Sequence, residues 1–354
     1  MQKIKVLVVD DSAFMRKMIS NILDSHFRIT VVGTARNGKD ALKKVEQLDP
    51  DVITLDIEMP EMDGLTALTK IMQDKPRPVV MLSSLTQVGA DKTFESIERG
   101  AVDFVAKPSG SISLNIKDKE TEIISKVLQA TKAKVHLPNT MAQRSSSRKS
   151  VHKQLGSNFS KHANTIVAIG TSTGGPRALQ QVLTRLPREI SAPIVIVQHM
   201  PAGFTQSLAK RLDRMSQIHV REVNNGEYLE NGVAYIAPGG HQFRVIETSK
   251  GPQAWVRKEE NRNGHQPSVD VLFESLAELP HYQLLVVIMT GMGSDGVNGL
   301  IEMKRSNEQT VIVSESEKTC VVYGMPKAAE QTKLVDYVVE LPDIVDVIVN
   351  QLKN

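Results

Sequence analysis

Short apolar runs that end on a polar residue recur along this chain, and stretches of helical period separate them. That alternation constrains the fold more than any other feature. A strand, a helix and a second strand pack as a right-handed parallel unit, so repeated βαβ patterns predict open sheets with helices on both faces. The first part of the chain has such runs at Ile4–Val9, Val31–Ala35, Val52–Leu55, Pro78–Leu82 and Val102–Val105. Ser12 opens a helical pattern with Phe14, Met15, Met18, Ile19, Ile22 and Leu23 on one side, and Ala41–Leu48 and Thr121–Val135 continue the series. In the second part the buried runs are Ile166–Ile169, Pro193–Val197 and Leu284–Met289, followed by Thr310–Val313. Ile218–Arg221, Val233–Ala237, Phe243–Ile246 and Ala254–Lys258 read as shorter strands between Gly, Asn and Pro turns. Helices are expected at Arg177–Leu186, Gly203–Leu212, Val269–Leu279, Val297–Arg305 and Asp343–Leu352. The expected fold class is α/β, with two doubly wound, mostly parallel sheets, and a length of 354 residues suits two domains.

In parallel sheets ligands bind beyond the carboxyl ends of the strands. Asp10, Asp11, Asp56, Ser83 and Lys107 all fall at such ends in the first part. Three carboxylates in one pocket repel each other and demand a cation, and an open site of oxygen donors suits Mg²⁺. Lys107 and the Ser83 hydroxyl would hold an anion beside the metal. An aspartate so placed is equipped to accept a phosphoryl group. One such aspartate alone reads as a solvated helix cap; the full set at successive strand ends does not.

The second part is organised around residues 165–177, TIVAIGTSTGGPR. Gly170, Ser172 and Gly174 fit the G-x-S-x-G nucleophile pattern, while the same glycines and a helix opened by Pro176 fit a phosphate-binding turn. The turn by itself leaves both open. Ser172, His199 and Asp295 each follow a buried strand and precede a helix. If the three strands are neighbours, a serine, a base to activate it and a carboxylate to orient the base converge at one sheet edge. Taken singly, His199 reads as a capping or core histidine and Asp295 as a helix N-cap. The order Ser, His, Asp differs from the Ser, Asp, His order of α/β-hydrolases, so that fold is not implied. No GxxxxGK[ST] motif is present. A phosphate- or nucleotide-binding domain, or an adaptor without chemistry, is the rival reading to a hydrolase.

Charge is distributed unevenly. Residues 123–188 hold no Asp or Glu, and seven Lys or Arg lie from Lys132 to Lys161, leaving 36 basic against 40 acidic residues elsewhere. The globular parts are therefore mildly acidic, which argues against nucleic-acid binding. The basic stretch, with Ser, Asn and few apolar anchors, reads as a flexible linker over 131–164 between domains at 1–130 and 165–354. Its histidines, His136, His152 and His162, lack metal-ligand spacing. The single cysteine, Cys320, excludes an internal disulfide and reads as a small buried hydrophobe. No apolar run reaches membrane-spanning length and MQKIKVLVVDD lacks a signal-peptide core, so a cytoplasmic chain without membrane insertion is expected.

Asp10-Asp11, LDIEMPEMDG around Asp56, the strand-end Ser83 and Lys107-Pro108 resemble a response-regulator receiver domain. The resemblance implies a flavodoxin-like fold, phosphorylation of Asp56 by a histidine kinase, and Mg²⁺ held by Asp10, Asp11, Asp56 and the backbone carbonyl of Glu58. It further implies phosphoryl contacts from Ser83 and Lys107, with Phe104 as the switch aromatic. GTSTGGP, QHMP, APGG at 237–240, TGMGSDG and CVVYGMP resemble the Rossmann-like catalytic domain of the CheB chemotaxis methylesterases. That resemblance implies Ser172 as nucleophile, His199 as general base and Asp295 as its orienting partner. The backbone N–H of Met292 would serve the oxyanion, and no cofactor is expected in this domain. The implied substrates are methylated glutamates, and glutamines to be deamidated, on methyl-accepting chemoreceptors.

Overall fold

Strands buried on both faces need continuous apolar sequence, and the runs rich in Val, Ile and Leu meet that need. Val6, Leu7, Val8, Val9, Ile53 and Leu55 expose no surface. Full burial of such a side chain stabilises by roughly 1.5–3 kcal/mol. The computed structural model describes residues 3–84, 86–107, 119–134 and 164–353. Contacts divide the chain into two units, Met1–Ser150 and Val151–Asn354. The linker expected at 131–164 lies, apart from its ends, outside the described residues, as do its three histidines and Pro108.

The first unit runs β1 (Ile4–Val9), α1 (Ala13–Asp24), β2 (Ile29–Ala35), α2 (Gly38–Leu48), β3 (Val52–Asp56), α3 (Gly64–Asp74), β4 (Val79–Ser83), α4 (Gln87–Glu98), β5 (Asp103–Ala106) and α5 (Glu120–Ala130). Its five strands pair in parallel in the order β2-β1-β3-β4-β5, the flavodoxin-like arrangement. Side chains set the helix starts. Ser12, Asn37, Asp63 and Thr86 each accept the backbone N–H three residues on.

The second unit runs β6 (Asn164–Thr171), α6 (Gly175–Leu183), β7 (Ile194–Gln198), α7 (Phe204–Met215), β8 (His219–Glu222), β9 (Val233–Ile236), β10 (Gln242–Thr248), β11 (Gly251–Arg257), α8 (Val269–Ala277), β12 (Tyr282–Ile288), α9 (Val297–Ser306), β13 (Val311–Glu315), α10 (Met325–Gln331), β14 (Tyr337–Val339) and α11 (Ile344–Lys353). Seven strands form one sheet in the order β14-β13-β12-β6-β7-β9-β8, with every pairing parallel. Chain order reverses between β6 and β12, which makes the crevice between them the switch point where ligands bind. β10 and β11 form a separate antiparallel hairpin instead of joining that sheet. Phe243, Val245, Ala254 and Val256 of the hairpin join the unit's main core. In this unit two elements add to those expected, the short helix α10, opened by Pro326, and the three-residue strand β14; in the first unit α3 and α4 do so.

Candidate functional sites

β1, β3 and β5 are the strands whose carboxyl ends carry the acidic residues and the lysine of the first unit. Oxygens of Asp10, Asp11 and Asp56 lie within 4.8 Å of one another. Lys107, just past β5, bridges Asp10 and Asp56, its Nζ 2.8 Å from an oxygen of each. Burial pushes the Asp56 carboxyl up to about 6; Lys107 opposes the shift and Asp10 and Asp11 add to it. Lys107 is held above the ordinary lysine range, because its two carboxylate partners outweigh its own desolvation. Glu58 lies two residues past Asp56, and its exposed side chain pairs with Lys92 at 2.9 Å. Ser83 ends β4 but its hydroxyl turns towards α4, donating to the Gly89 carbonyl at 3.0 Å and accepting from Thr93 at 2.6 Å. Phe104 is buried on β5, with Lys126 Nζ 5.4 Å from its ring centre.

In the second unit the chain leaves β6 at Thr171 and turns at once. The Ser172 N–H donates to the Thr290 carbonyl at 3.0 Å, and the Ser172 carbonyl accepts from Gly175 and from the Gln198 side chain. Gly174 has φ of 81°, in the left-handed region that favours glycine. A Cβ on Gly175 would come within 1.9 Å of Gln198 Oε1 and 2.6 Å of Thr171 Oγ1. The paired glycines thus permit the turn and the close approach of β7 behind it.

His199 follows β7 and Asp295 lies in the loop after β12, so the two residues flank Ser172 across adjacent strands. His199 Nδ1 lies 3.2 Å from Ser172 Oγ, and Nε2 lies 2.7 Å from Asp295 Oδ2. An ionised Asp295 accepts the Nε2 proton, which leaves the Nδ1 lone pair facing the serine hydroxyl. Asp295 is 5% exposed. Burial alone would raise its pKa, but His199, the Val269 N–H and the Ser268 hydroxyl outweigh burial and hold it near 2. The Ser268 hydroxyl and the N–H groups of Val269 and Asp270 donate to it at 2.8, 2.7 and 3.1 Å. The carboxylate therefore sits at the positive end of α8.

Met292 stands half-buried in the same loop, and among the described residues no group accepts its N–H. Segment 320–326 closes over this loop. Gly291 donates to the Val322 carbonyl and accepts from Gly324 and Met325. A Cβ on Gly291 would lie 2.8 Å from Ser172 Cβ, so this loop is packed directly against the serine.

All three residues expected to form a triad are thus brought into one hydrogen-bonded chain. Sequence reasoning missed what surrounds them. The His265 ring stacks on His199 with centres 3.8 Å apart and planes 5° apart. Asp270 accepts the N–H groups of Gly296 and Gly299 and so braces the turn that follows Asp295. Neither residue carries a motif or spacing that points to the site. Trp255 lies on the hairpin, with the guanidinium carbons of Arg244 and Arg257 5.2 and 5.4 Å from its ring centre.

The CheB methylesterase family profile matches residues 167–348, and the response regulator receiver domain profile matches residues 6–116. A protein-glutamate methylesterase/protein-glutamine glutaminase of Halalkalibacterium halodurans is 51% identical, over 99% of this chain and 99% of its own length. The chain belongs to the CheB methylesterase family. A Bacillus subtilis relative of the same name is 48% identical, over 96% of each chain. The crystal structure of the Thermotoga maritima CheB methylesterase catalytic domain is 38% identical, with a TM-score of 0.51, and covers 53% of this chain and 98% of that one. The family's two domains thus correspond to the two units, receiver first. Among the described residues, no helix is long and apolar enough to cross a membrane.

Proposed function

We propose that the second unit is a serine hydrolase for glutamate methyl esters and glutamine amides of chemoreceptors, and that phosphorylation of the first unit activates it. The observation that carries this reading is the Ser172–His199–Asp295 chain, with links of 3.2 and 2.7 Å at the switch point of the sheet. His199 Nδ1 takes the Ser172 proton as Oγ attacks the ester carbonyl carbon. The Met292 N–H meets the developing oxyanion. When the tetrahedral adduct collapses, the C–OCH₃ bond breaks, His199 returns its proton to the leaving oxygen, and methanol departs. A glutamyl ester on Ser172 remains. Water then attacks it, with His199 taking the water's proton and giving it back to Ser172, and the glutamate carboxylate is released. A glutamine substrate follows the same path with ammonia as leaving group. Asp295, ionised throughout, keeps the Nε2 proton in place and stabilises the imidazolium that forms.

In the first unit Asp56 is the phosphoacceptor and a histidine kinase is the donor. Asp10, Asp11, Asp56 and the Glu58 carbonyl would hold Mg²⁺; three converging carboxylates offer the hard oxygen donors that ion prefers. The ion would neutralise the pocket and draw the phosphoryl oxygens towards Asp56. Lys107 is placed to neutralise the new charge. Ser83 would exchange its bond to the Gly89 carbonyl for a phosphoryl oxygen, and Phe104 would report that shift. Methanol release from methylated chemoreceptor membranes, with and without a phosphodonor, tests the whole reading. It should rise with the donor and vanish in Ser172→Ala; release that persists in Ser172→Ala overturns the triad.

A further inference from the structure

One buried acid takes no part in the chemistry above. Glu315 ends β13, has no exposed surface, and pairs with no basic residue among those described. Its Oε2 accepts the Thr290 N–H at 2.8 Å, while Oε1 makes no hydrogen bond to any described residue. A carboxyl so placed is expensive to keep. Its one strong contact leads to the site. The Thr290 carbonyl accepts the Ser172 N–H at 3.0 Å and the Thr171 hydroxyl at 2.9 Å. The Thr290 hydroxyl reaches the Thr173 carbonyl at 2.9 Å and accepts the Val322 N–H at 3.0 Å. Thr290 therefore ties together three things: the nucleophile turn, the loop that carries Met292 two residues on, and the segment that closes over that loop.

We infer that Glu315 is a positioning residue for hydrolysis, its carboxyl fixing Thr290 and thereby the relation between Ser172 Oγ and the Met292 N–H. Each of Thr290's other polar groups is committed to the nucleophile turn or the closing segment. Only its N–H faces away from them, and Glu315 supplies that acceptor. Without it the N–H would be buried and unpaired, and the loop would shift to find another partner. Displacements of about 1 Å in such an arrangement can cost roughly a hundredfold in rate. Burial pushes the Glu315 carboxyl up to about 7; the Thr290 N–H is the main group opposing the shift, with smaller opposition from Thr319 and Cys320. A carboxyl and a carboxamide can both accept the Thr290 N–H, so the acceptor oxygen is the essential property.

The inference rests on the hydrolase reading, and the test separates the two. Full-length wild-type protein, given Mg²⁺ and a small-molecule phosphodonor, is assayed for methanol release from methylated chemoreceptor membranes. A failure of the hydrolase reading appears in the wild type itself, which would release none. If the wild type is active, Glu315→Leu should lower kcat about tenfold to a hundredfold while KM stays within about twofold. Glu315→Gln, which keeps the acceptor, should stay within about threefold of wild-type kcat. Should Glu315→Leu not fold, Glu315→Asp replaces it; its shorter side chain withdraws the acceptor, and the same fall in kcat is expected. A folded Leu or Asp variant with wild-type kcat overturns the inference. So does a Gln variant that falls as far as the Leu variant.

Discussion

At the residue scale, two carboxyls are shifted in opposite directions by their surroundings, and each shift has a consequence. Asp295 is held near 2, below its ordinary 3.8. Its contribution to stability is therefore complete above pH 3.8 and lost as pH falls towards 2. Asp295→Asn should melt below wild type at pH 7, with the gap closing towards pH 3; a gap that widens on acidification contradicts the assignment. In catalysis the same variant should lower kcat roughly a hundredfold to ten-thousandfold, through loss of the His199 tautomer. Ser172→Ala should cost several orders of magnitude. Asp56 is raised to about 6 from 3.8, so the folded state favours its neutral form. Stability from this group is complete below pH 3.8 and falls as pH rises through 6. In the absence of divalent metal, Asp56→Asn should raise the melting temperature of the first unit at pH 7.5, and by about half as much at pH 5, because the loss accumulates between 3.8 and 6. Thermal melts at both values check this.

At the scale of elements, the strands that present the sites were legible because burial on both faces demands unbroken apolar sequence. Ile166–Ile169 and Pro193–Val197 could hardly be anything else, and Thr171 and Gln198, just past these runs, mark the sheet edge. β14 escaped notice because its three residues are only partly buried at the end of the sheet, which leaves no long apolar run to read. The placement of the β10–β11 hairpin outside the main sheet follows from which core it packs on, and no local pattern encodes that. The same holds for Ser268 and the start of α8 around Asp295, which are brought there from 27 and 26 residues away. The nucleophile turn offers the sharpest test at this scale. Gly175→Ala would press a methyl group against Gln198 and Thr171. It should destabilise by about 1–3 kcal/mol and lower kcat in the folded protein. An Ala variant with wild-type stability and turnover would mean that β7 does not constrain the turn.

At the scale of the whole molecule, a receiver joined to a hydrolase is useful only if one governs the other. A near-complete switch needs roughly 5.5 kcal/mol of differential stabilisation between two states, so inhibition by the unphosphorylated receiver can be modest in energy and still decisive. A fragment beginning at Asn164 should hydrolyse substrate faster than the unphosphorylated full chain. Chelation should abolish the response of the full chain to phosphodonor and leave the fragment unchanged. Equal rates for the fragment and the unphosphorylated chain would refute inhibition by the receiver. The spacing of the triad along the chain carries one more consequence. His199 lies 27 residues from Ser172, but Asp295 lies 96 residues from His199, and Glu315 comes later still. During synthesis, which runs from the N-terminus and lets domains fold in order, the receiver's last helix is complete by Ala130. Ser172 and His199 emerge next without the carboxylate that orients them. The triad is complete only once Asp295 has left the ribosome, so the receiver is built well before the residues of the proposed hydrolase site have all emerged.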